Sequence, residues 1–321
     1  MKNQKLPSGT SASKIALCLP TPQYELEYFQ GNGIFIKRDD LTGAALGGNK
    51  TRKAALFFEE AHRLGATCIV TYGSAHSNHC RVVANFARAQ GLQCIVVTTD
   101  PESAGGNNRT LCRHFGVRFV ICAQDKVKET LDASMDALYR AGERAYFIPG
   151  GGHGPLGTQS YIEAYEEIRA AGIPFDFIFF ASGTGTTQAG LMLGQAMNAE
   201  KTAPRILGIS IARNQERGVG AIKESLEAYQ RTHHGALQQT APIEFIDDLF
   251  PFGYGQWDEG ILKTMDELLV RHGLPTDPVY TAKAYEGMRR YLIRERIQGA
   301  RCLFLHTGST PLFFDHLGEL R

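Results

Sequence analysis

Short runs of Val, Ile, Leu and Phe recur along the chain, separated by longer stretches in which apolar residues return every three or four positions. The runs predict strands at GIFIKR (33–38), ATCIVTY (66–72), LQCIVVT (92–98), VRFVIC (117–122), AYFIP (145–149), FDFIFFA (175–181), RILGISI (205–211) and RCLFLH (301–306). The longer stretches predict helices over 50–65, 78–91, 109–116, 158–172 and 185–200. Most runs are continuously apolar, as in strands whose two sheet faces are both covered. Strand–helix alternation throughout predicts an α/β fold with mostly parallel sheets.

No 20–50-residue repeat, low-complexity tract or Pro/Gly/Ser linker is visible, so a solenoid is not expected. Length, 321 residues, suits two compact domains. If there are two, the chain crosses between them more than once. Glycine clusters at 43–48, 73–77, 150–157, 182–190 and 306–309 fall after strands or before helices, where open α/β sheets line a ligand crevice.

Composition narrows the partners. Net charge is +1 with Lys and Arg dispersed, so neither nucleic acid nor an anionic membrane is an expected partner. MKNQKLPSGTSASK contains no secretory apolar core and no stretch approaches 18 apolar residues; the expected location is the cytoplasm. Seven cysteines, an odd number without CxxC spacing, argue against a disulfide framework or a metal site. Buried free thiols in a reducing compartment are expected instead.

Five segments carry candidate chemistry. In AALGGNKTRKAALFF (44–58), Lys50 opens an amphipathic helix, where the positive helix end favours a free amine. A free amine is what Schiff-base chemistry needs; the plain alternative is a solvated surface lysine. GAALGGNKT also resembles a P-loop, but Asn49 separates Gly48 from Lys50 and breaks the spacing. In YGSAHSNHCR (72–81), Ser77 is placed to cap the following helix, and His76, Asn78 and His79 make its start unusually polar. Asn78 could bond a phenolic or carboxylate oxygen, whereas the segment lacks the GxSxG of a hydrolase nucleophile. In FFASGTGTTQAG (179–190), Gly183, Thr184, Gly185, Thr186 and Thr187 offer amides and hydroxyls to an anion at a helix start. Gln188 stands where a dinucleotide fingerprint needs a third glycine, so a single phosphate fits better. Tyr254 (PFGYGQWDEG) and Tyr280 (TDPVYTAKA) occupy polar surroundings, though a core position is the default for either. LFLHTGST (303–310) ends a strand in Thr307, Gly308 and Ser309.

Taken in order, LPTPQYE, FIKRDDLTG, GGNKTRK, SNHCR, SGTGTTQAG, GYGQWDEG, DPVYTAKA and HTGS resemble, over nearly the whole chain, the family of D-cysteine desulfhydrase and 1-aminocyclopropane-1-carboxylate deaminase. That family belongs to the tryptophan-synthase β-like, fold-type-II pyridoxal-phosphate enzymes. The resemblance implies two α/β domains with mostly parallel, twisted sheets flanked by helices. The expected division is a smaller domain over 53–157 and a larger, cofactor-binding one formed by 1–52 with 158–321. It implies pyridoxal 5'-phosphate as cofactor, a small amino acid as substrate and a homodimer.

By position, the resemblance makes Lys50 the Schiff-base lysine, with Asn49 beside the cofactor and Asn78 on its 3'-oxygen. Residues 183–187 hold the phosphate, and Ser77 shuttles a proton or holds the substrate carboxylate. Tyr254 and Tyr280 face the substrate, with His76, His79 and Trp257 around it. Thr281 stands where the deaminase has glutamate, as in the desulfhydrase. With Thr307 also neutral, the ring nitrogen would be less readily protonated, which suits elimination through a short-lived carbanion. The chain departs from the family at His76, Ser309, the pair Gln256–Trp257 and the run GGGHGPLGTQ, which carries His153 and Pro155. These changes bear on the substrate.

The expected activity is β-elimination giving a keto acid and ammonia. Alternatives of the same class are ring-opening deamination and β-replacement on an activated serine. From other classes come a P-loop phosphotransferase and a non-catalytic amino-acid-binding relative.

Overall fold

The computed structural model describes residues 15–198, 203–233, 240–250 and 253–320. The stretch 1–14 and the last two residues of the 185–200 helical stretch lie outside the described residues. The chain divides into two compact units: a smaller one built on Ala54–Gly152 and a larger one of Cys18–Lys53 with His153–Arg321.

Strands, in chain order, are β1 (Gln23–Phe29), β2 (Asn32–Arg38), β3 (Cys68–Tyr72), β4 (Gln93–Thr98), β5 (Arg118–Ile121), β6 (Ala145–Ile148), β7 (Phe177–Ser182), β8 (Arg205–Ser210), β9 (Glu244–Ile246) and β10 (Arg301–His306). The helices are α1 (Asn49–Arg63), α2 (Asn78–Ala89), α3 (Asn107–His114), α4 (Val127–Arg140), α5 (Pro155–Ala170), α6 (Thr186–Asn198), α7 (Gln215–Thr232), α8 (Glu259–His272), α9 (Thr281–Arg294) and α10 (Thr310–His316). The smaller unit carries a four-stranded sheet of order β5-β4-β3-β6, every pair parallel. The larger unit carries a six-stranded sheet of order β1-β2-β10-β7-β8-β9, parallel except for the β1–β2 hairpin.

Strand β7 shows why the runs are unbroken. Phe177 and Phe179 enter one apolar cluster with Ile34, Ile36, Leu207, Ile209 and Tyr285, while Ile178 and Phe180 enter another with Leu303 and Leu305. Successive side chains point to opposite faces, and both faces are buried. Among the cysteines, Cys68, Cys80, Cys94, Cys112 and Cys302 are buried thiols as expected, but Cys18 is exposed and Cys122 half-buried. No described helix is long and apolar enough to cross a membrane.

The topology gathers loops at one edge of the larger sheet. β2, β10 and β7 are parallel neighbours, so the segments that follow them (39–49, 307–309 and 183–185) all leave from the same carboxyl edge. This is where ligands bind in open α/β sheets.

Candidate active site

Lys50 is the second residue of α1. Its loop presses against the loop after β10: the Asn49 amide donates to the Thr307 carbonyl at 2.9 Å. A Cβ on Gly48 would lie 2.9 Å from that same oxygen, and one on Gly308 would lie 2.5 Å from the Gly48 Cα. Both glycines have positive φ, +108° and +104°, so bare backbone is required on each side of the approach. Lys50 is half-buried, and desolvation pulls its amine down to about 8. The expected cause was the helix end; the operative one is burial, which disfavours the ammonium form.

A buried ion cluster fixes the first turn of α1. Arg52 donates to Asp39 at 2.9 Å and to Glu167 of α5 at 2.7 Å, and Lys37 pairs with Glu167 at 2.8 Å. Burial alone would raise Glu167, but Arg52 and Lys37 hold it down to about 2. Tyr161 of α5 closes the cluster by donating to Asp39 at 2.6 Å.

One residue here escaped the sequence reading. Lys53 is 1% exposed, its Nζ has no hydrogen-bond partner among the described residues, and it lies over the Tyr161 ring at 5.7 Å. Burial first, and the charge of Lys50 second, push its amine well below the ordinary lysine value. The signal was present in KTRK, since a spacing of three puts Lys50 and Lys53 on one side of a helix.

The 183–187 segment lies at the start of α6, with Thr186 and Thr187 buried and no acidic residue in the first turn. Gly185 takes φ +83°, and a Cβ there would meet the Ala221 and Ile222 backbone at 2.8 Å. His153, just ahead of α5, reaches Thr186, Nδ1 to Oγ1 3.1 Å. Farther along, Gly190 abuts Thr158 and Tyr161, and Gly194 abuts Ile162 and Tyr165. The matched order shows that α5 and α6 run side by side in one direction, with their positive ends together. Two helix starts, buried hydroxyls and a buried amine without a hydrogen-bond partner fit a phosphate dianion.

Tyr254 and Tyr280 meet, their phenol oxygens 2.6 Å apart. Tyr254 is half exposed, contrary to the core default. Burial, and then the neighbouring Tyr254, push the Tyr280 phenol well up, so it stays protonated. The Thr281 hydroxyl donates to buried Asp277 at 2.9 Å, which also accepts the amides of Val279, Tyr280 and Thr281 at the start of α9. Burial raises the Asp277 carboxyl. Trp257 packs half-buried on the core and edge-on to His316, ring centres 4.7 Å apart.

In the smaller unit, Ser77 caps α2 as expected, accepting the Cys80 amide at 3.2 Å. The Asn78 Oδ1 accepts from Asn108 at 3.0 Å and Arg81 at 3.4 Å. The His76 carbonyl accepts from Asn108 at 2.9 Å. His79, expected near substrate, is buried with Nε2 2.8 Å from the Thr71 hydroxyl. That hydroxyl donates to the Ile148 carbonyl, so this imidazole nitrogen donates to Thr71.

The family described as pyridoxal-phosphate dependent enzyme matches residues 16–308. The chain is 33% identical over 316 residues to a D-cysteine desulfhydrase of Klebsiella pneumoniae, covering 92% of this chain and 94% of the relative. It is 31% identical to the D-cysteine desulfhydrase of Serratia proteamaculans, covering 91% of each. A crystal structure of an ACC deaminase homologue superposes with a TM-score of 0.85 at 31% identity, covering 95% of this chain and 94% of that one.

Proposed function

The chain belongs to the family of pyridoxal-phosphate dependent enzymes, and on that premise we propose that it catalyses β-elimination from a small, cysteine-like amino acid, releasing a keto acid and ammonia. The fold is the type-II fold of that family, and the cofactor is pyridoxal phosphate. The observation that supports the reading best is the Lys50 amine, pulled to about 8 and held beside the Thr307 loop.

Lys50 would hold the cofactor covalently, and Lys53 with the 183–187 amides and hydroxyls would hold its phosphate. Bound pyridoxal phosphate supplies an electron sink for negative charge at the substrate Cα. Lys50 Nζ, when not holding the cofactor, would be a free base able to take the Cα proton. Tyr280, kept protonated, can deliver a proton to the departing thiolate, with Tyr254 as its hydrogen-bonded relay. Thr281 and Thr307, both neutral, would leave the ring nitrogen less readily protonated, which suits elimination. For Ser77 and Asn78 the proposal rests on the ordered match of SNHCR: Asn78 donates to the cofactor's phenolic oxygen and Ser77 receives the substrate carboxylate.

Borohydride reduction followed by peptide mapping tests the attachment, with the adduct expected on Lys50. A panel of D- and L-β-substituted amino acids then tests the reaction. Keto acid and ammonia from a β-thiol substrate support the proposal. Product formed only when a second nucleophile is added would make the enzyme a β-replacement catalyst.

A further inference from the structure

The run GGGHGPLG puts an imidazole where glycines otherwise hold the backbone ahead of α5. His153 Nδ1 lies 3.1 Å from Thr186 Oγ1, at the corner where α5 and α6 begin together. A hydroxyl has one proton. If Nδ1 is bare, it accepts that proton and turns the hydroxyl away from an anion. If Nδ1 carries hydrogen, the hydroxyl oxygen accepts from it and its own proton is directed outward.

The charged groups acting on the imidazole come from three elements. Glu224 of α7 lies 4.0 Å from Nε2, Lys53 reaches in from α1, and Arg213 stands ahead of α7. Burial lowers the imidazole, Glu224 opposes that, and Lys53 and Arg213 add to it. Without an anion the ring is therefore mostly neutral near neutral pH. A phosphate dianion beside it reverses the balance by favouring the imidazolium.

We propose that His153 is a positioning residue for the cofactor phosphate that acts as a proton-sensitive latch, directing the Thr186 hydroxyl to the phosphate when the imidazole is protonated and withdrawing it when Nδ1 is bare. The inference deepens the proposed function and rests on its cofactor. The sign follows from linkage. Cofactor binding raises the imidazole's pKa, so the extra retention is complete below the pKa of the cofactor-free state and is lost as pH rises through that of the loaded state. The phosphate's own titration runs the opposite way, loosening the cofactor at low pH, and is common to every variant.

The test is the rate at which holoprotein loses its visible cofactor band on rapid dialysis, between about pH 5.5 and 8.5. Wild type should lose cofactor about tenfold faster at the high end, the size of one charge-assisted hydrogen bond. His153→Gln can donate or accept but does not titrate, and should lose the tenfold rise toward high pH, keeping only the trend of the phosphate itself; His153→Asn replaces it should the glutamine variant fail to fold. Thr186→Val should lose most of the step as well. A His153→Gln or Thr186→Val protein that keeps the full step overturns the latch and leaves the cofactor assignment intact. A protein that takes up no pyridoxal phosphate overturns both.

Discussion

The phenol oxygens of Tyr254 and Tyr280 lie 2.6 Å apart, one ring half exposed and the other desolvated. In the proposed elimination, a protonated phenol bonded to a wetter one can relay a proton from the exposed side inward. Tyr280→Phe removes the inner donor and should lower kcat/KM by ~10²–10³, within the usual range for one general acid. Tyr254→Phe should cost less. The double variant should be no worse than Tyr280→Phe, because both changes break the same bond. Steady-state kinetics on all three proteins checks this.

Lys50 sets a pH dependence. Only the free amine adds to the cofactor's aldehyde, and a value of about 8 makes half the amine free at about that pH. Reloading of stripped protein should therefore accelerate from about pH 6 and level off above about 8. A rate still rising tenfold per unit beyond pH 9 would assign Lys50 an ordinary lysine value.

Lys53 gives a prediction of two opposite signs. As a buried amine without a hydrogen-bond partner, it costs the cofactor-free protein stability. Lys53→Met should raise the melting temperature of stripped protein yet weaken cofactor retention by about tenfold or more. Calorimetry and dialysis measure the two effects separately.

Glu167 contributes to acid stability. Its carboxyl is held at about 2 against an ordinary 4.5, so its contribution is fully present above pH 4.5 and is lost as pH falls toward 2. Glu167→Gln leaves Lys37 and Arg52 buried with less counter-charge and should cost about 3–5 kcal/mol at pH 7. Denaturant unfolding at pH 7 and pH 3 should show the gap between the proteins narrowing at the lower pH.

Gly190→Ala reverses a familiar rule. In an open helix position the change stabilises by about 1 kcal/mol. Here the new methyl would overlap the Thr158 carbonyl, forcing α6 from α5, so a loss of ~1–3 kcal/mol is expected. Thermal unfolding decides the sign.

How much was legible is clearest from the elements that were anticipated and those that were not. β10 is found at RCLFLH, 301–306 as read, because six residues with both faces covered leave an unbroken apolar signal. β1 was not anticipated: QYELEYF is an edge strand with charged, exposed positions, and edge strands carry little apolar pattern. β9 has only three residues, EFI, too few for a period to register. Sequence adjacency sets Trp257 near Tyr254 but does not say which ring it will meet. Its ring turned to His316, in the last turn of α10.

The sequence by itself determined the α/β class, the family and the cofactor, because these follow from local periodicity and from motifs contiguous in the chain. What only the tertiary structure decided is which groups surround each motif. Lys53 over Tyr161, His153 on Thr186 and Glu167 between Lys37 and Arg52 join residues far apart in sequence. Periodicity tells a side chain whether to face the core, not which partner it will find there. That choice was made when α5 and α6 packed in parallel through Gly190 and Gly194, bringing an imidazole, a buried hydroxyl and two helix starts to one corner.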